Sequence, residues 1–278
     1  MFIDTHCHLT FPEFDPDRAM VIGNAKKAGV KKFICPAVDP FSAKQVIELA
    51  RKHSETIYAA VGFHPYEAQQ NPDVTILEKL LTSSLNPQPS TLNPIVAIGE
   101  IGLDYHQYKG EEAEGKKQNQ KLLFEEQLRL ALKHNLPVIM HCRDAFEDFF
   151  TVLDSLPDMP SGTIHCFSGG AQEIRFAAER NLFVGIDGNV TYSKQLQTII
   201  PQIPLTMLLL ETDAPYLTPV PHRGTRNEPK YVPLTAKCIA DLLNVDVKKV
   251  EKQTTENALK LFTLPDTLAS GCSQTTSL

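Results

Sequence analysis

The sequence predicts an α/β fold of the (β/α)8 type, a TIM barrel built as a single domain. Eight short runs of apolar, β-prone residues alternate with helical segments along 278 residues, and such barrels typically need about 250. The runs are near-continuously apolar rather than alternating, which is typical of parallel strands covered on both faces. A doubly wound open sheet is the rival architecture, but its first turn would normally be rich in glycine. Here the first turn reads His-Cys-His-Leu-Thr.

Each strand of the predicted barrel is placed by one apolar run. The first run ends just before His6, and the others are 32–37, 57–63, 95–99, 136–140, 162–164, 182–186 and 207–210. Segments between them carry apolar residues at helical spacing, as 121–134 does with Leu128 and Leu132 on one side. Strands that alternate with such helices favour a parallel sheet.

His6 and His8 follow the first predicted strand. Residues two apart in a strand point to the same face, so both imidazoles point one way while Cys7 points the other. Paired neutral imidazoles suit a transition-metal ion. An isolated pair of this kind equally fits one buried and one solvated histidine, so the rest of the chain must decide.

Polar side chains also follow several of the other predicted strands. Five of the nine histidines sit at strand C-terminal ends: His6, His8, His64, His141 and His165. Glu100 follows the fourth strand and Asp213 follows the eighth. In a barrel, these ends converge on one rim, where active sites are built. The sequence therefore predicts a metal site at the C-terminal end of the strands.

The composition predicts a soluble, cytoplasmic protein. No apolar run reaches the roughly 18 residues of a membrane span, and no basic stretch followed by an apolar one marks a signal peptide. The six cysteines lack the paired spacing of zinc fingers. We therefore expect reduced thiols, no membrane partner and no organic cofactor.

Two polar stretches and the C-terminal tail interrupt the predicted barrel. The Pro-rich stretch 83–94 lacks helical spacing and is predicted to be a loop. The charged, glycine-bracketed stretch 110–117, within an insertion over 106–120, is predicted to be a mobile lid or a solvated loop on the active-site rim. We expect one domain over 1–264 and a disordered tail over 265–278, which is poor in apolar residues.

Six motifs, in order along the chain, resemble those of the TatD family of metal-dependent deoxyribonucleases. They are Phe2-Ile3-Asp4-Thr5-His6-Cys7-His8-Leu9, Gly62-Phe63-His64-Pro65, Gly99-Glu100-Ile101-Gly102-Leu103-Asp104-Tyr105, His141-Cys142-Arg143-Asp144-Ala145, His165-Cys166-Phe167-Ser168-Gly169 and Glu211-Thr212-Asp213-Ala214-Pro215-Tyr216-Leu217. The stretch 221–229 resembles the loop after the family's last metal ligand. The resemblance spans residues 2 to about 262. The family belongs to the amidohydrolase-like metallohydrolases, which implies a (β/α)8 barrel that holds divalent ions.

The resemblance implies a site for two divalent cations. The expected ligands of the first ion are His6, His8 and Asp213, and those of the second are His141 and His165. Glu100 is expected to bridge the ions, because its two carboxylate oxygens can serve two cations. Many members of the wider superfamily bridge with a carboxylated lysine, but this strand end has none. Histidine and carboxylate ligands admit zinc, manganese or magnesium.

Asp213 and Glu100 are also the expected catalytic residues. Asp213 can take a proton from a water near the ions and hand it to the leaving oxygen. Each has a plainer alternative: Asp213 could cap the segment that follows it, and Glu100 could be an N-cap or a surface acid. The glycines beside Glu100 favour ligation, because they let ligand and backbone approach closely.

Five further residues are candidates for contact with the substrate: His64, Asp104, Arg143, His222 and Arg223. His64 has no vacant ligand role, so it is assigned to a substrate oxygen, to a bond that orients a ligand, or to packing. The planar guanidinium of Arg143 suits a phosphate or an ion pair with a rim acid. Asp104 could orient a ligand histidine. The loop of His222 and Arg223 could meet the substrate.

These features predict a divalent-metal-dependent hydrolase, by resemblance a deoxyribonuclease acting on single-stranded or frayed DNA ends. The formal charge of −6 argues against a large electropositive surface for duplex DNA, but two bound cations would supply local positive charge. The alternatives are a metal-dependent ester or amide hydrolase, such as a D-aminoacyl-tRNA deacylase, and a non-catalytic metal-binding module. A monomer is compatible with the sequence.

Overall fold

A computed structural model describes residues 1–84, 93–106 and 114–266 of the chain. Within these ranges, parallel strands form one eight-stranded sheet whose spatial order follows the chain. The strands are β1 (Phe2–Asp4), β2 (Val30–Pro36), β3 (Ile57–Val61), β4 (Ile95–Asp104), β5 (Val138–Arg143), β6 (Gly162–Ile164), β7 (Phe183–Ile186) and β8 (Leu208–Leu210). Parallel neighbours of this kind require a crossover connection, usually a helix.

The two edges of the sheet meet, so the barrel closes. Thr5 N donates to Leu210 O at 3.0 Å, and Asp213 N donates to His6 O at 2.9 Å. These bonds join the segments that follow β1 and β8. They confirm the predicted (β/α)8 TIM barrel and place two expected metal ligands side by side.

Helices connect the strands on the outside of the barrel. They are α1 (Arg18–Lys27), α2 (Pro40–Lys52), α3 (Thr75–Ser84), α4 (Glu114–His134), α5 (Phe146–Asp154), α6 (Ala171–Glu179), α7 (Lys194–Ile199), α8 (Val232–Leu243) and α9 (Val247–Leu261). In the part of the chain that the structure describes, one α-helix separates each strand from the next, and two α-helices follow β8; short 3₁₀ turns lie in several of these connections. None of these helices is both long enough and apolar enough to cross a membrane.

The barrel interior is apolar at one end and polar at the other. Ile139 and Leu209 belong to a buried cluster that also contains Phe262, just after α9. Side chains two positions further along these strands point to the same face, and they are His141 and Glu211. The apolar cluster therefore fills the N-terminal end of the barrel, and the polar residues face its C-terminal rim.

Strands β4 and β5 are longer than the sequence predicted. The prediction ended the fourth strand at Gly99, but β4 continues to Asp104, so Glu100 lies within a strand rather than after one. The glycines of this segment do not end the strand, because they allow β4 and β5 to pack closely. A Cβ atom on Gly102, whose φ is +140°, would lie 2.0 Å from His141 O.

Both predicted insertions are shorter than the sequence suggested. Helix α3 runs to Ser84, so positions 83 and 84 are helical, while 85–92 lie outside the described residues. Helix α4 begins at Glu114, so the prediction of a loop over 110–117 was wrong for 114–117, and the insertion does not extend to 120 as a loop. The Gln120 side chain ties this turn of helix to β4, because it exchanges two hydrogen bonds of 2.9 Å with the Asp104 backbone. Residues 107–113 and 267–278, including most of the predicted tail, lie outside the described part.

Candidate metal centre

All six residues predicted as metal ligands converge at the C-terminal rim of the barrel. They are His6, His8, Glu100, His141, His165 and Asp213. Each of three overlapping groups has its ligand atoms within 4.8 Å of one another. The groups are His6 with His8 and Glu100; His6 with His165 and Asp213; and His64 with Glu100 and His141. Residues from β4 and β5 and from the segments after β1, β3, β6 and β8 thus meet in one place.

One side of the centre contains the N-terminal histidine pair. His6 Nε2 and His8 Nε2 lie 3.2 Å apart. Glu100 Oε2 is 3.4 Å from His6 Nε2, and Asp213 Oδ1 is 3.4 Å from His8 Nε2. Both rings are buried, so their facing nitrogens are withdrawn from water. A cation shared with the two carboxylates would satisfy both nitrogens.

The other side is organised around the second oxygen of Glu100. His165 Nε2 lies 2.8 Å from Glu100 Oε1, and His141 Nδ1 lies 3.0 Å from the same oxygen. The two nitrogens are 3.0 Å from each other. Glu100 therefore faces a different histidine pair with each carboxylate oxygen.

Asp104 holds the far side of the His141 ring. Its Oδ2 lies 3.2 Å from His141 Nε2, so that Nδ1 faces Glu100. Tyr66 donates to the same oxygen at 3.0 Å, and the His106 backbone donates to Oδ1 at 2.9 Å. Burial opposes ionisation of Asp104, but the contact with His141 outweighs it and lowers the pKa of Asp104 to about 2. A carboxylate in this position fixes the orientation of a ligand ring.

His64 approaches the centre more closely than the sequence indicated. Its Nε2 lies 3.6 Å from Glu100 Oε1, and its Nδ1 accepts a hydrogen bond of 3.2 Å from Tyr66 N. Burial lowers the pKa of His64 to about 3, so the ring is neutral. A neutral imidazole here can ligate a cation or donate to a substrate oxygen.

The electrostatics favour ionised carboxylates, but the imidazole rings are not uniform. Burial opposes charge on His8, yet its hydrogen bond to Asp213 raises the pKa of His8 above its ordinary value. Burial lowers the pKa of His6 to about 4. Burial also opposes charge on Glu100, but the surrounding imidazoles, His165 foremost, hold its pKa well below the usual range. His141 differs, because hydrogen bonds to two carboxylates overcome its burial and raise its pKa to about 9. Metal ligation requires its Nδ1 to be unprotonated, so an ion would displace a proton there.

Buried acids behind the ligands were missed as functional residues. Glu211 accepts from Cys166 N at 2.5 Å, and its Oε1 lies 3.9 Å from the otherwise unpartnered Nδ1 of His165. Asp4 accepts from the hydroxyl of Thr212 at 2.6 Å. Each acid lies two positions before a ligand, and this period-two spacing within apolar strands was the available signal.

The centre opens into a cavity of about 740 Å³. Arg143 lines this cavity, as do His64 and Asp104. His222 and Arg223 are not among the described residues that line it. Their side chains lie against aromatic rings: His222 stacks on Tyr231 at 4.5 Å, and the Arg223 guanidinium lies 3.8 Å from the Tyr192 ring centre. Their predicted contact with substrate therefore remains a prediction.

The donor set fits divalent cations. It combines imidazole nitrogens, which suit zinc and manganese, with carboxylate oxygens, which also suit magnesium. Buried groups of this kind are normally paired or bound to a metal, because leaving them in an apolar interior is costly. The residues at this rim can therefore hold metal.

Comparison with known proteins gives the same picture. A family model described as TatD related DNase matches residues 3–263. The "Uncharacterized metal-dependent hydrolase YabD" of Bacillus subtilis is 37% identical over 267 residues, covering 94% of this chain and 99% of the relative. The "3'-5' ssDNA/RNA exonuclease TatD" of Pantoea ananatis is 35% identical over 270 residues, with coverage of 94% and 99%.

Solved structures agree with the sequence relatives. The crystal structure of YJJV, a TatD homolog from Escherichia coli, has a TM-score of 0.82 at 31% identity and covers 95% of this chain and 98% of that one. A TatD family hydrolase from Entamoeba histolytica, at 22% identity and a TM-score of 0.81, shares the fold. The family model and the relatives extend across the whole metal centre. The chain therefore belongs to the TatD-related DNase family of metal-dependent hydrolases.

Proposed function

We propose that the protein is a two-metal phosphodiesterase that removes nucleotides from single-stranded or frayed DNA ends. The position of Glu100 carries the proposal: Oε2 faces His6 at 3.4 Å, while Oε1 faces His165 at 2.8 Å. Such a shared carboxylate suits two cations about 3.5–4 Å apart, as in many phosphatases and nucleases. Relatives named as single-strand exonucleases support the substrate class.

The ligands are assigned to the two proposed ions by the sides of Glu100. His6, His8 and Asp213 would hold one ion, His141 and His165 would hold the other, and Glu100 would contribute to both. His64 is a further candidate ligand on the second side, at 3.6 Å from Glu100 Oε1. When bound, such ions lower the pKa of water and neutralise the charge of a phosphoryl group.

Asp213 is the carboxylate placed to move a proton. Its side chain lines the cavity and is 15% exposed, against 4% for Glu100. Burial opposes its ionisation, but a hydrogen bond to His8 keeps its pKa below the usual value. Asp213 is therefore available to accept a proton and return it to the leaving oxygen. Glu100 faces imidazoles with both oxygens, and its proposed role is to hold the two ligand groups together.

The cavity and its rim favour a strand end as substrate. Pockets for small ligands measure about 300–1,000 Å³, and the 740 Å³ here falls in that range. Arg143 places a guanidinium on the rim, where it can bind a phosphate oxygen. The net charge of −6 gives a duplex no broad electropositive surface.

The test compares metal-stripped protein with protein reloaded with zinc, manganese or magnesium. Substrates are DNA strands labelled at the 3′ or the 5′ end, the matching duplexes, an aminoacyl-tRNA and small esters. We expect metal-dependent release of mononucleotides from single strands. We expect Asp213→Asn to abolish it, and Asp158→Asn, an exposed acid in a connecting segment, to retain it.

Other outcomes would redirect the assignment. Metal-dependent turnover of the esters or the aminoacyl-tRNA alone would overturn the nuclease and favour the ester or amide hydrolase. Full metal occupancy without turnover of any substrate would favour a binding module.

A further inference from the structure

Exposed aromatic rings line the cavity on both sides of the metal centre. Tyr216 is 52% exposed and Tyr66 is 50% exposed, and both line the cavity. Large aromatic side chains usually bury most of their area. Open rings inside a binding cavity therefore point to a flat partner that covers them.

Tyr216 lies on the side of the N-terminal histidines. The Phe11 ring stacks on the His8 ring at 4.4 Å, and the Tyr216 ring meets Phe11 nearly edge-on at 6.4 Å. Asn227, which is fully buried, donates to Tyr216 O at 2.5 Å and to Thr212 O at 2.8 Å. The backbone that carries the Tyr216 ring is thus tied to the segment that carries Asp213.

Tyr66 lies on the opposite side, next to the second group of ligands. Its ring contacts the His64 ring at 4.5 Å, which in turn lies 4.9 Å from the His141 ring. Its hydroxyl donates to Asp104 Oδ2, the oxygen that holds His141. The two tyrosines are therefore anchored to opposite sides of Glu100.

We infer that Tyr216 and Tyr66 each stack one unpaired nucleobase while the phosphate between those bases lies at the metal centre. The inference rests on the proposed nuclease function and explains why that nuclease would prefer single strands of any base sequence. Stacking on aromatic rings tolerates every base, because every base has a π-face. Two bases splayed to opposite sides of one phosphate must leave their partners, so the strand must be single. The smallest good substrate is then a dinucleotide step of any sequence.

The first experiment measures kcat and KM on tetranucleotides that carry an abasic residue at each position in turn. Removing one base–aromatic stack costs about 1–3 kcal/mol, or about 5- to 150-fold. We expect wild-type kcat/KM to fall by that factor, mainly through KM, at two adjacent positions. Tyr216→Ala should lower kcat/KM on the intact strand, and an abasic residue at one of the two positions should then cause no further fall. Tyr66→Ala should have the same effects for the other position. Tyr66→Phe keeps the ring and should keep the penalty.

The matched control is Phe41→Ala. Phe41 is 70% exposed but lies at the start of α2, and it is not among the described residues that line the cavity. Both abasic penalties should persist in this variant. The inference would be overturned if abasic residues lowered kcat/KM in Tyr216→Ala and Tyr66→Ala by the same factor as in the wild type, in addition to the loss that each substitution causes on the intact strand.

Stopped-flow fluorescence of a strand with 2-aminopurine at the sensitive position separates stacking from cleavage. Wild-type protein loaded with manganese should quench the fluorescence at once and then restore it as the nucleotide is released. A quench without recovery would overturn the proposed cleavage but support stacking. Recovery without a quench would overturn stacking but support cleavage. The absence of both phases would count against both claims.

Discussion

Asp104→Asn should weaken one metal position and leave the other intact. Three donors converge on this carboxylate: the Tyr66 hydroxyl at 3.0 Å and His141 Nε2 at 3.2 Å on Oδ2, and the His106 backbone at 2.9 Å on Oδ1. An asparagine of the same shape has one acceptor oxygen, so its NH₂ group must face at least one donor. The His141 ring would then lose either its partner or its orientation.

The size of the effect follows from the role of this contact. Substituting a group that orients a ligand histidine typically costs about 10- to 100-fold in metal affinity, which is about 1.4–2.7 kcal/mol. The loss of a hydrogen bond to a charged group, about 1.5–3 kcal/mol, agrees with that range. We expect the affinity of the ion bound by His141 and His165 to fall by this factor, and that of the ion near His6 to stay unchanged.

The assay is competition with a metal chelator, monitored for each of the two ions. Asp144→Asn is the matched control, because Asp144 lies on the same rim, is exposed, and faces His106 rather than a proposed ligand. Asp144 adopts a φ of 54°, which asparagine tolerates well, so its substitution should be silent. Equal weakening of both ions, or no weakening of either, would refute the assigned role of Asp104.

Three further predictions concern stability. Gly102→Ala should lower the free energy of unfolding, measured in urea, by about 3 kcal/mol or more, because the new Cβ would lie 2.0 Å from His141 O at a φ of +140°. The control is Gly23→Ala in α1, where a Cβ would meet nothing within 4 Å; this variant should be more stable by up to about 1 kcal/mol. Burial raises the pKa of Asp187 from 3.8 to about 7, so its contribution to stability is complete below pH 3.8 and is lost as the pH rises to 7. As the pH rises from about 5 to about 8, the free energy of unfolding of Asp187→Asn should therefore increase by about 2–3 kcal/mol relative to that of the wild type. A difference between the two proteins that stays constant over this range would contradict a buried charge at Asp187. Metal at about 100 times its dissociation constant should stabilise the chelated protein by about 2.7 kcal/mol per site, and an unchanged melting temperature would contradict ligation.

The fold could be predicted from the sequence because buried strands appear in it as short apolar runs. Continuous apolar runs such as 136–140 mark strands covered on both faces, and the polar residues after them mark the rim. The sequence-based prediction of where β4 ends was wrong, because a glycine that ends a strand cannot be distinguished in one sequence from a glycine that lets a neighbouring strand pack closely. The close contacts with β5 separate the two cases: Gly99 packs against Ile139, and Gly102 packs against His141 O.

Contacts between distant segments could not be derived in the same way. The sequence suggests that Asp104 orients a ligand histidine, but its pairing with His141 in particular depends on side-chain directions in β4 and β5 that the sequence does not fix. Tyr66 is similar, because its hydroxyl donates to Asp104, a residue that is distant in the sequence. Glu211 was within reach, since its spacing of two from Asp213 places both on one face. Glu211 directly follows the apolar residues Leu208–Leu210, so the sequence alone does not distinguish it from the end of the strand.

The most direct test of the account is anomalous diffraction from crystals of the manganese-loaded protein. We predict two manganese peaks, one within bonding distance of Glu100 Oε2 and the other within bonding distance of Oε1. A single peak, or two peaks that both lie away from this carboxylate, would contradict the claim that Glu100 joins two metal positions.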